Sequence, residues 1–293
     1  MQLKKIEISD KPIFDKYKSN TIHNQYLTFA NLFLWKDAEN IEYFFYNDCL
    51  VVTGIDFNKK RYFMLPCVFC ITNEFLDFLK ENFSDDYRIV GLGIDAVNEA
   101  KKNTGDRLSF IHERDMDNYI YTSEKLANLS GKKLHSKRNH INNFIKNYDY
   151  EFHILDDNNI SEVWKFLEEW YEKKLLEDES IIFEKNAIKN GLSHYKELGF
   201  RGAFIKVGEK VIAFSMGDKR NDEMAVIHFE KADTDYAGAY AIINRDFVKN
   251  CWSDVKYINR EDDMGIEGLR KSKLSYYPDI LLEVYTAIEN KKE

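Results

Sequence analysis

Apolar residues recur along this chain in two rhythms, and the switches between them outline its elements. Alternating or continuous apolar runs predict strands at "IEYFFYN", "CLVVTGI", "RYFMLPC", "YRIVGLG", "RLSFIHER" and "DNYIYT", with "NDC" and "DFNKK" as turns. Between these runs, "NQYLTFANLFLWKD" is apolar nearly all round and predicts a buried helix. The segments "TNEFLDFLKENF" and "IDAVNEAKKNTG" carry the helical rhythm, the first capped by Thr72 or Asn73 and the second stopped at Gly105. Residues 1–122 therefore predict one mixed α/β domain, and residues 123–293 a second.

The second domain opens on a basic amphipathic helix, residues 130–148, whose apolar face is Leu134, Ile141, Phe144, Ile145 and Tyr148. Lys133, Lys137 and Arg138 border that face, where their stems lie along whatever the helix packs on. A strand at "YEFHIL" follows, then helices at "NNISEVWKFLEEWYEKKL" and "EKNAIKNGLSHYKELG". The run "RGAFIKVGEKVIAFSMGD" predicts a hairpin turning at Gly208 and Glu209, and "DEMAVIHFEKA" a third adjacent strand. Asp233 or Thr234 is placed to cap the next helix, "DYAGAYAIINRDFVKN", after which come the strand "VKYINR" and a last short helix.

That last helix is unusual in where its charge falls. At about 100° per residue, Ile266, Leu269 and Leu274 share one broad face that should be buried, and Arg270 and Lys273 land between them. An inward cation needs a partner, because an unpaired buried charge costs several kcal/mol. The partner is either an internal acid, from Glu261, Asp262, Asp263, Glu267 or Asp279, or an anionic ligand.

Composition narrows the class. The chain has 293 residues, 21 Phe, 18 Tyr and 4 Trp, ample apolar area for two cores. A net charge of −8 argues against nucleic-acid or membrane binding over the whole surface. Cys49, Cys67, Cys70 and Cys251 are too few and too scattered for a disulfide framework, and Cys67 and Cys70 in "RYFMLPCVFCIT" lack a second Cys or His pair nearby, so core packing is expected of them. The opening "MQLKKIEISDKP" has no apolar signal region, and no 18-residue apolar stretch occurs, which predicts a soluble, cytoplasmic protein without stable membrane insertion. None of the 7 histidines pairs at metal-ligand spacing, so no metal is expected, and motifs of metalloproteases, serine hydrolases and P-loop enzymes are missing.

Four segments carry a resemblance: "YLTFANLFLWKD", "LSGKKLHSKRNHINNF", "HFEKADTDYAGAYAIIN" and "INREDDMGIEGLRKSKLSYYPD". With the β, α, α, β, β, β, α, β, α order after residue 120, they resemble the C-terminal domain shared by phosphatidylglycerol lysyltransferases and a set of soluble bacterial proteins of unknown function. The resemblance implies two tandem GNAT-like N-acyltransferase domains of α/β class, with mixed, mainly antiparallel sheets. It also implies an acyl or aminoacyl transferase acting on an amine or hydroxyl, with acyl-CoA or aminoacyl-tRNA as donor and a small-molecule, peptide or lipid acceptor. A non-catalytic protein that keeps the fold and binds an anionic metabolite or an RNA end is the alternative.

The candidate residues follow from position in that fold, with the site expected between the domains. Glu230, on the strand before the helix near Asp235, would accept a proton or hold an acceptor amine; Tyr276 would protonate a leaving oxygen, and Asp263 completes the catalytic set. Lys231, Asn244, Asn259, Arg260, Arg270, Lys273, Lys133 and Arg138 are the expected substrate-binding groups. In coenzyme-A-binding relatives the loop before that helix reads Q/R-x-x-G-x-G/A; here Gly238 fits, while Asp235 and Tyr240 depart from the pattern, and Tyr236 and Gly238 are the candidate contacts.

Overall fold

The computed structural model describes residues 1–17, 25–83, 86–176 and 178–290. They form two compact units, one of residues 1–117 and 282–293, the other of residues 118–281. The first contains a seven-stranded sheet in the order Lys4–Lys5, Glu42–Tyr46, Cys49–Ile55, Arg61–Met64, Tyr87–Leu92, Tyr285–Glu289, Leu108–His112. All neighbours pair antiparallel except Arg61–Met64 with Tyr87–Leu92. Asn47 and Asp48 make the first hairpin turn with φ of 45° and 62°, the left-handed backbone such two-residue turns require. The helices Asn73–Phe83 and Ile94–Thr104 bury Phe75, Leu76, Leu79 and Val97 with Phe63 and Ile89 of the sheet in one core.

The second unit has its own seven-stranded sheet, ordered Ile280–Leu282, Asn118–Thr122, Tyr257–Asn259, Met224–Ala232, Lys210–Lys219, Phe200–Val207, Tyr150–Ile154. Three of these strands form the expected antiparallel meander. The helix Ala239–Cys251 is buried along most of its length, and Ile242, Phe247 and Val248 pack with Ile205, Ile212 and Ile227. The helix His135–Asn147 adds Ile141 and Phe144 to the same core.

Four expectations need correction. The domain boundary lies five residues earlier than expected, because Asn118–Thr122 pairs with Tyr257–Asn259 in the second sheet, and the tail from residue 282 returns to the first. The basic helix starts at His135 instead of residue 130, and an unexpected helix, Ser123–Asn128, precedes it, ended by Leu129 and Gly131 at positive φ. The helix expected from Asp235 begins at Ala239, because residues 233–238 form turns of their own: Asp233 accepts from the backbone N–H of Asp235 and of Tyr236. Cys67 and Cys70 are not core residues; both are half-buried, and Cys70 is disulfide-bonded to Cys49. The sequence spacing hid that pairing, since Cys49 comes alongside only through the sheet.

Two glycines give opposite expectations. Along the meander the register slips by one residue, so that Met216 faces Phe229 but Gly217 faces Ile227, leaving His228 as the extra residue of a bulge. A Cβ on Gly217 would run into the Val226 carbonyl, so Gly217→Ala should lower stability in urea unfolding by about 2–3 kcal/mol. Gly268 lies in the helix Glu267–Leu274 with open space around it, and Gly268→Ala should raise stability by about 0.5–1 kcal/mol. Equal effects at the two positions would contradict the packing described.

Candidate active site

The strand Met224–Ala232 runs parallel to Tyr257–Asn259, but only Met224, Ala225 and Val226 are paired. Beyond Val226 the longer strand continues while the shorter one turns away, and an open parallel pair of this kind is where α/β proteins hold ligands. Glu230 lies on the strand past that point and Arg260 directly after its partner. Arg260 Nη2 donates to Glu230 Oε1 at 2.8 Å, and Asn244 Nδ2 donates to Glu230 Oε2 at 2.8 Å from the buried helix behind. Both charged side chains are about nine-tenths buried, at 9% and 11% exposure.

The charged segment that follows Arg260 holds it there. Asn259 donates to Asn118 at 2.9 Å and accepts the backbone N–H of Glu261 at 2.7 Å, both groups being buried. Glu261 accepts from His228 Nδ1 at 2.8 Å, while His228 Nε2 meets Asp218 at 2.9 Å, so the bulged residue is clasped by two carboxylates. Lys273 donates to the carbonyl oxygens of Arg260, at 2.6 Å, and of Asp262. Burial lowers the pKa of this lysine despite Asp262 nearby. Asp263 takes both Arg270 Nε and Nη2, at 2.9 and 2.7 Å, with Tyr119 Oη and the Gly265 N–H as further donors. Burial would raise the Asp263 carboxyl, but these donors outweigh it and hold it at about 2.

Arg270, Lys273, Asp263 and Asn259 are therefore supports of one loop. The expectation that Arg270 and Lys273 face an anionic guest is corrected: the internal-partner reading holds for Arg270, and Lys273 is held by backbone carbonyls instead. The helix also lies the other way round. Ile266, Leu269 and Leu274 are exposed, at 48%, 41% and 42%, because the inward side is filled by hydrogen-bonding groups.

A different cation completes the cluster. Both Lys137 Nζ, 4.1 Å from the centroid, and the Arg260 guanidinium, 4.9 Å from it on the measure of Cζ, lie over the Tyr276 ring, with Tyr121 edge-on at 6.4 Å. Among the described residues, the Lys137 ammonium makes no hydrogen bond. Burial and the Arg260 charge push it down to about 8, with Glu230 opposing. Burial pushes the Tyr276 hydroxyl up to about 12. Two buried atoms at Glu230 are left without partners, the donor Arg260 Nη1 and the acceptor Asn244 Oδ1. Such buried atoms cost about 1–3 kcal/mol each when left unpaired.

The other expected contacts are engaged elsewhere. Lys231 pairs with Glu184 at 2.5 Å over the Trp170 ring. Tyr236 packs on Tyr148, centroids 5.1 Å apart. Lys133 rests on the Tyr277 ring, and Arg138 donates to the carbonyls of Leu129 and Gly131. Gly238, at φ 100°, has His140 backbone where a Cβ would sit, so its freedom serves the contact with the neighbouring helix and not a phosphate. Glu230, Arg260, Asn244 and Tyr276, each named from the sequence for its position, lie together in the structure, whereas Lys137 was read only as a border of an apolar stripe. Its position on that border was the available signal.

The family described as phosphatidylglycerol lysyltransferase, C-terminal, matches residues 20–288. A conserved protein of unknown function from Bacteroides thetaiotaomicron is 31% identical, with a TM-score of 0.91 over 99% of this chain and 100% of that one. L-PGS from Bacillus licheniformis shares the fold, with a TM-score of 0.64 at 14% identity over 97% and 93% of the two chains. So does a tandem GNAT protein from the clavulanic acid biosynthesis pathway, with a TM-score of 0.51 at 6% identity over 100% and 99%. The chain thus has the tandem GNAT-like fold of aminoacyl and acyl transferases, and no described helix is long and apolar enough to cross a membrane.

The clasped histidine makes stability depend on pH. Burial alone would lower the His228 imidazole, yet Glu261 and Asp218 override it and hold it up to about 10. A folded pKa above the unfolded value of about 6.5 gives stabilisation that is complete below that pH and is lost as pH rises through 10. Thermal melts should show the wild-type protein losing its advantage over His228→Gln between pH 7 and 10; a constant difference across that window would remove the assigned charge.

Proposed function

The chain belongs to the phosphatidylglycerol lysyltransferase C-terminal family, and from that premise we propose that it transfers an aminoacyl group from aminoacyl-tRNA to an amine or hydroxyl acceptor. The observation that carries this reading is the unused donor and unused acceptor beside one buried carboxylate. An α-aminoacyl ester offers the matching groups: an ammonium for Glu230 and Asn244 Oδ1, and a carbonyl oxygen for Arg260 Nη1. A simple acyl group would leave the acceptor side unfilled.

In this mechanism the acceptor's nitrogen or oxygen attacks the ester carbonyl while Arg260 stabilises the oxyanion that develops. Lys137, near neutrality and free of hydrogen bonds, takes the acceptor's proton. Collapse of the tetrahedral intermediate expels the ribose hydroxyl of the tRNA, which recovers a proton from Lys137. Tyr276 positions both cations, its ring being a surface each rests on.

Single-turnover discharge of radiolabelled lysyl- and alanyl-tRNA, with phosphatidylglycerol vesicles or a peptide amine as acceptor, tests this. Arg260→Lys and Glu230→Gln should each slow transfer by about 10²–10³-fold, in protein whose melts show it folded. The wild-type rate should climb with pH through about 8 as Lys137 loses its proton, and Lys137→Met should lack that limb. Transfer from acyl-CoA alone would move the assignment to another donor, and unchanged rates in Glu230→Gln would remove it from this site.

A further inference from the structure

The first unit brings Cys49 beside Cys67 and Cys70, the last of them 21 residues further along the chain. Cys49 opens the strand Cys49–Ile55, while Cys67 and Cys70 flank one tight turn closed by a 3.2 Å bond from Cys70 N–H to the Cys67 carbonyl. The three Sγ atoms all lie within 4.8 Å of one another, and all three residues are half-buried. Cys49 and Cys70 are bonded, with Cα atoms 6.7 Å apart, the wide end of what a disulfide spans. Cys67 stays a thiol. A cavity of about 330 Å³, lined by Tyr46, Asn47, Cys49, Cys70, Thr72 and Glu74, opens beside them.

A disulfide needs two sulfurs, and the third contributes nothing to it. Three thiolates around zinc, each at about 2.3 Å, stand roughly 3.8 Å from one another, a spacing these positions already approach. A C-x-x-C turn joined by a third cysteine from an adjacent hairpin is also a common zinc-ligand layout. We propose that the reduced chain binds one zinc ion through Cys49, Cys67 and Cys70, with a fourth ligand position that faces the cavity and takes water.

The bonded and metal-bound forms exclude each other. A dithiol reductant supplies the two electrons that open the Cys49–Cys70 bond, one to each sulfur, and the three thiols give up their protons as the ion binds. In the other direction hydrogen peroxide accepts two electrons from Cys49 and Cys70, leaves as water, and the ion departs with two of its ligands gone.

The test uses the full chain, reduced with a phosphine under inert gas and titrated with cobalt as a spectroscopic stand-in. Sulfur-to-cobalt charge-transfer absorption should saturate at one equivalent and disappear when zinc displaces the cobalt. Cys67→Ser, which leaves the disulfide partners intact, and Cys49→Ser should each weaken binding by at least about tenfold, while Cys251→Ser changes nothing. Peroxide should release the zinc to an indicator dye. A reduced chain that stays folded by circular dichroism but takes up no cobalt overturns the proposal, as does one that unfolds on reduction and is not restored by metal. Equal binding in Cys67→Ser overturns it as well.

Discussion

Burial of the Arg260 guanidinium against Glu230 is the constraint on which the second unit is organised. Two charges taken nine-tenths out of water recover that cost only in fixed geometry with their remaining valences met. Removing one partner of such a pair costs about 3–5 kcal/mol, because the other stays buried and unpaired. The loop behind Arg260 is accordingly tied at every residue: Asn259 to Asn118, the Arg260 carbonyl to Lys273, Glu261 to His228, Asp263 to Arg270 and Tyr119. The charges of Glu261, Asp263, Arg270 and Lys273 therefore serve to aim one side chain. The bulge at His228 belongs to the same device, since the extra residue turns that imidazole between Asp218 and Glu261.

Much of this fold was legible from periodicity, and the exceptions share a cause. Strands such as Cys49–Ile55 and Lys210–Lys219 were readable because their apolar runs and turns are local. The strand Tyr285–Glu289 was not, because it is five residues long and its two partners, Tyr87–Leu92 and Leu108–His112, lie far back in the chain. The helix Ser123–Asn128 went unread because it is six residues long and is closed by backbone conformation at Leu129 and Gly131. Cys49 illustrates the same limit: nothing local ties it to Cys67 and Cys70, and only the sheet does.

For the site, a helical wheel turned the two cations inward correctly and offered an internal acid that Arg270 does find, but it buried the wrong apolar face. Arg270 meets Asp263, one of the acids its own segment offered, while the two backbone carbonyls that hold Lys273 become visible only when the 259–263 loop is folded over the helix. Glu230 and Arg260 are thirty residues apart and were named for position, not as a pair. Lys137 needed the tertiary fold to bring it onto Tyr276, where burial beside a second cation, not any feature of its own segment, lowers its proton affinity.

The loop before the helix Ala239–Cys251 bears on which donor suits the site. A phosphate at a helix N-terminus needs free N–H groups and a glycine that lets it approach. Here the N–H of Ala239 is bonded to Tyr236, those of Ala241 and Ile242 to Gly238, and the space at Gly238 is filled by His140. Asp233, which organises the turn, is itself neutralised by Lys210 at 2.7 Å, so the nearest cation is spoken for. A pyrophosphate has little left to bind in that loop. The unfilled valences lie instead on Arg260 Nη1 and Asn244 Oδ1. Polar groups beside Glu230, more than the fold they stand in, are what the proposed aminoacyl donor rests on.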